Sequence, residues 1–326
     1  MISKWGKPLM ELLGIDTLVI DRMSRILQRS SENLQRLDLF NPKFYPSREH
    51  SEEEVLRYLT VMVAMDHRLS RPGRVYEACL EDGCYKGADL LYRLGKVKFD
   101  ENPDFFTPEY LSKIREEEVE KWLSIGNARP VDIVLRTRLL RDLGVKLIKL
   151  YDGRVSSLVE ASNNRLHGDG INPGFADFLR VFRAFEDPVE KKSMLLAKFL
   201  HFRGLFKPVD KPYIPVDNHL TRIALRTGMV VVSGRLWNDI LNMKEVSMSD
   251  DVLIRMVVRE AYGLLAEKSG RSVWELDDHF WLHGRTICIR SEKPLCEKCM
   301  FKGFCRARRN NAFMVYEHTY YNTWYY

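Results

Sequence analysis

Apolar residues recur at three- and four-residue intervals along most of the chain, which is the spacing of one face of an α-helix and not the alternation of a strand. In residues 52–65, Glu52, Glu53 and Glu54 put negative charge at the end of a helix where the macrodipole favours it, and Val55, Leu59, Met62 and Val63 then mark one apolar face. Residues 131–150 repeat the pattern with Val131, Leu135, Leu139, Leu143 and Leu147, while Arg136, Arg138 and Arg141 point elsewhere. Gly144 costs about 1 kcal/mol relative to alanine in a helix interior, so a kink or an end is expected there. Asp187-Pro188-Val189-Glu190 reads as a capping-box start, with an acid at the N-cap, proline at N1 and glutamate at N3, opening a helix to about Gly204. Further helices are expected over 217–227, 235–243 and 249–268. Only 229–233 reads as a strand. Loops are expected at 163–175, rich in Asn, Gly and Asp, and at 207–215. The pattern predicts an all-α protein without internal repeats, ending in a Tyr-rich segment, 316–326.

With 326 residues, 45% of them hydrophobic, the chain can bury a sizeable core as one large or two smaller domains. Its dense charge and ordinary Pro and Gly usage exclude the disordered and collagen-like classes. No apolar run approaches the length that spans a bilayer, and the opening Met1–Pro8 leads into an amphipathic segment unlike a secretory signal, so a cytoplasmic protein is expected. Net charge is +6, and residues 285–309, with eight basic residues against Glu292 and Glu297, carry all of that excess. A basic patch on an otherwise neutral chain is an electrostatic footprint for a polyanion, although part of it can offset a negatively charged thiolate cluster.

Four of the six cysteines fall within eighteen residues as Cys288-x7-Cys296-x2-Cys299-x5-Cys305. In a chain without a secretory signal this favours metal ligation over a disulfide framework. Four thiolates suit zinc or an iron–sulfur cube, and zinc sites usually pair two Cys-x-x-Cys knuckles where only one exists here. Cys79 and Cys84, far upstream, are expected to be packing cysteines. The run Asp278-His-Phe-Trp-Leu-His-Gly-Arg-Thr-Ile-Cys288, followed by Pro294-Leu-Cys296-Glu-Lys-Cys299 and Phe304-Cys305, resembles the C-terminal cluster loop of the endonuclease III branch of the helix-hairpin-helix DNA glycosylases, with one residue more in the first gap. The resemblance implies a [4Fe-4S] cluster on Cys288, Cys296, Cys299 and Cys305.

Val216-Asp217-Asn218-His219-Leu220-Thr221-Arg222 resembles the segment that carries the essential aspartate of the same superfamily. Breaking an N-glycosidic bond develops positive charge on the sugar, which a carboxylate at Asp217 would stabilise. Asp217 is also a natural helix cap, and the two roles are compatible. Arg222 and His219 read as structural. Bifunctional members use a lysine upstream of the aspartate, and Lys191 and Lys192 stand there. The residues that follow fit Lys191 better, whereas helical geometry puts Lys192 on a face with Leu195, Leu196 and Phe199. The stretch Ala184–Lys191 lacks the glycines with which the family's hairpin grips a DNA phosphate, and resembles instead the non-standard hairpin of the archaeal 8-oxoguanine glycosylases.

Asp66, His67 and Arg68 end the first long helix, where family members fill the gap left by a flipped base. They are candidate substrate-binding residues, the alternative for Asp66 being an internal pair with an arginine. The resemblance implies N-terminal helices over 1–51, a six-helix barrel over 52–205 and a cluster domain over 206–326. It further implies a monomeric DNA glycosylase of base-excision repair acting on duplex DNA with a damaged or mispaired base, possessing AP-lyase activity if a lysine serves as nucleophile. A glycosidase for free modified nucleosides or nucleotides, and a non-catalytic nucleic-acid-binding protein, are the competing readings.

Overall fold

The computed structural model describes residues 12–30, 34 and 36–326; the expected amphipathic entry at Met1–Pro8 lies outside them. Among the described residues, eight helices of ten residues or more follow one another: α1 Thr17–Arg29, α2 Glu52–Met65, α3 Ala88–Glu101, α4 Ile133–Tyr151, α5 Lys191–Phe202, α6 Asn218–Thr227, α7 Met248–Ser269 and α8 Val273–Thr286. Two small antiparallel sheets join them, β1 Leu13–Ile15 with β4 Val230–Val232 and β2 Glu77–Leu80 with β3 Gly83–Lys86. The protein is all-α. The strand expected at 229–233 is present, but its partner lies more than two hundred residues away, and the β2–β3 hairpin has no hydrophobic alternation that would have marked it.

The chain forms two compact units, one containing the segment up to Leu37 together with Tyr213–Thr323, the other Asp38–Pro212 with Trp324–Tyr326. In the first, Ile20, Met23 and Leu27 of α1 pack against α7, whose Ile254, Val258, Ala261 and Leu265 are buried. Helix α6 lies against both α7 and α8.

In the second unit α2 is the central helix. Ser51 and Glu54 close a capping box at its start, Ser51 Oγ accepting from Glu54 N and the Glu54 carboxylate accepting from Ser51 N at 2.8 Å. From Val55 to Met65 every residue except Arg57 is buried, so the helix is enclosed on all sides and not on one face as its spacing suggested. Helices α3, α4, α5 and Val155–Ala161 supply the surrounding contacts. That enclosure needs small or apolar residues all round, and Thr60 and Ala64 on the side away from the expected stripe provide them.

Helix α4 runs without a break through Gly144. A Cβ there would meet Ser112 N at 2.5 Å and Pro108 O at 2.6 Å, so the glycine admits the short helix Pro108–Leu111 and does not interrupt its own helix. The capping box expected at Asp187 does not form. Glu190 adopts a left-handed conformation, φ 62°, ψ 26°, and α5 begins only at Lys191. Asp187 Oδ1 accepts from Val189 N at 2.8 Å and Oδ2 from Lys191 N at 2.7 Å, folding the segment into a turn that precedes the helix.

Cys79 and Cys84 are exposed and joined in a disulfide between opposed positions of β2 and β3, so they do not pack in a core as expected. A cross-strand pair brings two Cβ atoms within disulfide reach, a proximity that follows from the turn and not from any apolar pattern.

Candidate cluster loop and catalytic residues

In the first unit, α6 opens at Asp217. The aspartate caps its helix with extended backbone, Oδ1 accepting from Leu220 N at 2.9 Å. Its other carboxylate oxygen takes no part in that cap. Two turns of the same helix then reach the cysteine segment through buried arginines. Arg222 donates to Cys288 O at 3.0 Å, to Gly284 O at 2.8 Å and to Glu317 Oε2 at 3.0 Å, and its guanidinium lies 2.9 Å from His219 Nδ1. Arg226 donates to Val315 O at 2.6 Å, to Ile289 O and Ser291 O at 2.9 Å, and to the sulfur of Cys288 at 3.5 Å. Each guanidinium thus meets several acceptors in a fork that no other side chain provides. Arg226 was not singled out from the sequence; its signal was a position four residues after Arg222, on the same helix face.

Glu317 answers the charge of Arg222. Burial alone would raise its carboxyl, but the Arg222 and Arg290 guanidiniums outweigh burial and hold it down at about 2. Gly284, within the run that precedes the first cysteine, is required by the same packing. A Cβ at that position would lie 2.7 Å from His219 Cβ, so only glycine lets α8 approach α6 this closely.

The four cysteines line a single cavity with Ile223, Arg226, His283 and Phe301. Cys299 Sγ lies 3.4 Å from His283 Nε2, and Cys305 Sγ donates to Arg226 O at 3.4 Å. Burial pushes the Cys299 thiol up to about 12, and burial likewise raises Cys296 and Cys305. Burial lowers His283 to about 4, leaving a neutral imidazole beside the sulfur. Among the described residues no group of three or more His, Cys, Asp or Glu side chains is positioned to hold a metal ion. The donor set nevertheless fits a thiolate-bound group chemically: four sulfurs face one apolar-walled cavity, with a cation and no carboxylate among the residues lining it.

Much of the basic excess at 285–309 is engaged internally. Arg290 pairs with Glu317, Lys302 and Arg308 with Glu297, and Arg306 stacks on Phe313 at 3.5 Å. These contacts fold the loop itself, and they reduce the charge available to a polyanion.

In the second unit, α5 places both lysines inside. Lys192 Nζ donates to Ala64 O at 2.5 Å and lies 3.4 Å from His67 Nδ1. Lys191 Nζ donates to Asp66 O at 2.8 Å, with Asp66 Oδ1 at 4.0 Å. Lys192 is wholly buried, whereas 8% of the Lys191 side chain remains exposed. Burial, then the charges of Lys191 and Arg136, hold Lys192 well below the usual ammonium range. Burial and the Arg136, Lys192 and Lys191 charges likewise depress His67, whose buried Nε2 has no hydrogen-bond partner.

Asp66, His67 and Arg68 thus form one loop with the two lysines. Asp66 is paired with Lys191 and accepts from Tyr92 OH at 3.4 Å, in place of the arginine partner weighed from the sequence. The arginine present, Arg136, instead donates to the main-chain carbonyls of Met65, His67 and Arg68. The chain's last residues complete this side: Arg68 N donates to Tyr326 O at 2.6 Å, and Tyr326 OH donates to Asp187 Oδ1 at 2.9 Å. The Tyr-rich composition of the tail signalled burial of rings but not this destination.

No protein-family profile matches the chain, and no curated protein is similar to it in sequence. Solved structures that are similar to it include two of endonuclease III with DNA. One is a trapped covalent intermediate of endonuclease III with DNA, in an estranged-adenine complex, at 16% identity and a TM-score of 0.47 over 90% of this chain and 96% of that one. The other is a non-covalent endonuclease III–DNA complex, at 16% identity and a TM-score of 0.46 over 90% of this chain and 95% of that one.

Proposed function

We propose that this chain is a DNA glycosylase that cleaves the N-glycosidic bond of a damaged or mispaired base in duplex DNA. Asp217 supplies the carboxylate that stabilises positive charge on the sugar, and Lys191 supplies the amine of an AP-lyase step. The observation that carries this reading is α6. One ten-residue helix is capped by Asp217 and sends Arg222 and Arg226 into the cysteine loop, so the two segments on which the sequence resemblance rests are a single built assembly.

Of the two lysines, Lys191 keeps some exposure and is the proposed nucleophile. Lys192, sealed against Ala64 O, positions the loop of His67. In the covalent step Lys191 Nζ bonds to C1′ as the C–N bond to the base breaks, the base leaving with that electron pair and taking up a proton. The sugar ring then opens to a Schiff base as the ring oxygen takes the amine's proton, and in the lyase step loss of a C2′ proton breaks the C3′–O bond, the 3′ phosphate leaving with that electron pair. Asp66, His67 and Arg68 are assigned to the extruded base or its orphan partner. Cys288, Cys296, Cys299 and Cys305 would hold a [4Fe-4S] cluster, which supplies a fixed fold for the loop and no redox step.

The test is incubation of anaerobically purified protein with duplexes carrying oxidised, deaminated or alkylated bases, with borohydride present. A trapped adduct lost in Lys191→Gln, and excision reduced at least about a hundredfold in Asp217→Asn, are expected. Excision unaffected by Asp217→Asn would overturn the assignment.

A second reading, a glycosidase of free modified nucleosides, draws on the turn before α5. Asp187 takes the N–H groups of Val189 and Lys191, so the place where a glycine hairpin would grip phosphate has its donors engaged by a carboxylate. Release of base from nucleosides but not from duplexes would establish it.

A further inference from the structure

The turn before α5 has its N–H donors engaged by Asp187, so a chain that binds DNA needs a phosphate grip elsewhere. We propose that a cavity at the start of α4, lined by Arg74, Arg129 and Arg138, binds the phosphodiester backbone of duplex DNA. The inference rests on the DNA-glycosylase reading and specifies how that substrate is held.

The cavity measures about 450 Å³ and lies wholly within the unit of Asp38–Pro212. All three guanidinium-bearing residues are exposed. Arg74 is aimed by one hydrogen bond to Pro130 O at 3.3 Å, which leaves its other donors outward. Among the described residues no carboxylate pairs with Arg138. The acids nearby are already answered: Glu120 pairs with Arg129, and Asp132 pairs with Arg71 at 3.0 Å. Three arginines against Glu120 and Asp132 in the lining leave one positive charge in excess, and Asp132 is further answered by Arg71 beside the cavity. Like charges gathered this way repel unless an anion lies among them. The open setting suits a backbone running past better than a small anion enclosed whole, and arginine forks match phosphate oxygens in pairs.

The cavity is also fixed relative to the candidate base-contacting loop. Val131 N donates to Leu69 O at 3.3 Å, and Arg136, in the first turn of α4, holds the carbonyls of Met65, His67 and Arg68. A strand gripped at Arg74 and Arg138 is therefore held in a set position beside Asp66–Arg68. Neither the cysteine loop, whose arginines are largely engaged, nor the turn before α5 offers an equivalent group of outward donors.

The experiment is fluorescence anisotropy of a labelled duplex bearing a stable abasic analogue, titrated with the full cluster-loaded protein at several salt concentrations. The wild type, Arg74→Ala, Arg138→Ala and the double variant are compared, with Lys149→Ala at the far end of the same helix as the control. Each arginine removed is expected to lower the slope of log K against log salt by about one, equally for damaged and undamaged duplexes. Glu120→Gln, which frees Arg129, is expected to tighten binding, and the control to change nothing. Wild-type binding with an unaltered affinity and slope in the double variant would overturn the cavity while leaving the glycosylase reading intact. No salt-dependent duplex binding by the wild type would overturn both.

Discussion

Replacing Arg226 by methionine tests whether the buried arginines of α6 are what shape the cysteine loop. Methionine keeps much of the stem and removes the fork, leaving the carbonyls of Val315, Ile289 and Ser291 without their donor in a site where Arg226 is 1% exposed. Hydrogen bonds from a charged donor contribute about 1.5–3 kcal/mol each, so three of them amount to roughly 4.5–9 kcal/mol. Removing the guanidinium also removes the several kcal/mol that burying a cation costs. The net loss expected is about 3–5 kcal/mol. With an m-value of about 3 kcal/mol/M, the urea midpoint should fall by roughly 1–1.7 M. Urea titration followed by circular dichroism reads that shift, and the rate at which a thiol reagent labels Cys288, Cys296, Cys299 and Cys305 in the folded protein reads the loop separately. Arg226→Lys should recover only part, since one ammonium cannot span acceptors on three residues. A methionine variant within about 1 kcal/mol of wild type, with the loop thiols labelled no faster, would refute the idea that this guanidinium organises the loop.

Other consequences follow from single contacts. His67 is depressed in the fold below the ordinary imidazole value of about 6.5, so above that pH its proton makes no difference to stability. As pH falls through 6.5 the unfolded chain gains a proton that the folded one refuses, and stability should drop by up to about 1.4 kcal/mol per pH unit; in His67→Asn the measured slope between pH 7 and 5 should be shallower by that amount. Gly284→Ala must push His219 aside and should cost about 1–3 kcal/mol in a urea titration, and an unchanged midpoint would mean that the two helices separate freely. Alkylation of the unfolded chain without reductant, read by mass spectrometry, should leave Cys79 and Cys84 unlabelled and label the other four cysteines.

Local chemistry was well marked in the sequence wherever one residue type had one task. The three glutamates at the start of α2, and the aspartate that caps α6, announce themselves because a helix start favours negative charge and needs acceptors for its first N–H groups whatever surrounds it; the cap Ser51 gave no such notice. Gly144 was misleading for the opposite reason. Its cost to an isolated helix is real, but the deciding factor was the backbone of Pro108–Ser112 pressed against it. Asp187 matched a capping pattern, yet the left-handed Glu190 delays the helix, and nothing in the local pattern distinguishes a cap from a turn that ends one residue before α5. The hairpin carrying Cys79 and Cys84 lay below notice because both faces of β2 and β3 are largely exposed, which leaves no alternation to read.

What the sequence by itself determined, then, is the helical character of the chain, the helix that Asp217 caps and the grouping of four cysteines, since each follows from spacing along the backbone. The tertiary structure alone decided which residues surround those groups. Arg226 meets the Cys288 sulfur across 62 positions, Lys192 meets Ala64 across 128, and Tyr326 meets Asp187 across 139. Such partners are chosen by packing, in which a buried donor must find any acceptor the fold brings within reach, and no local pattern of residues encodes which one that will be.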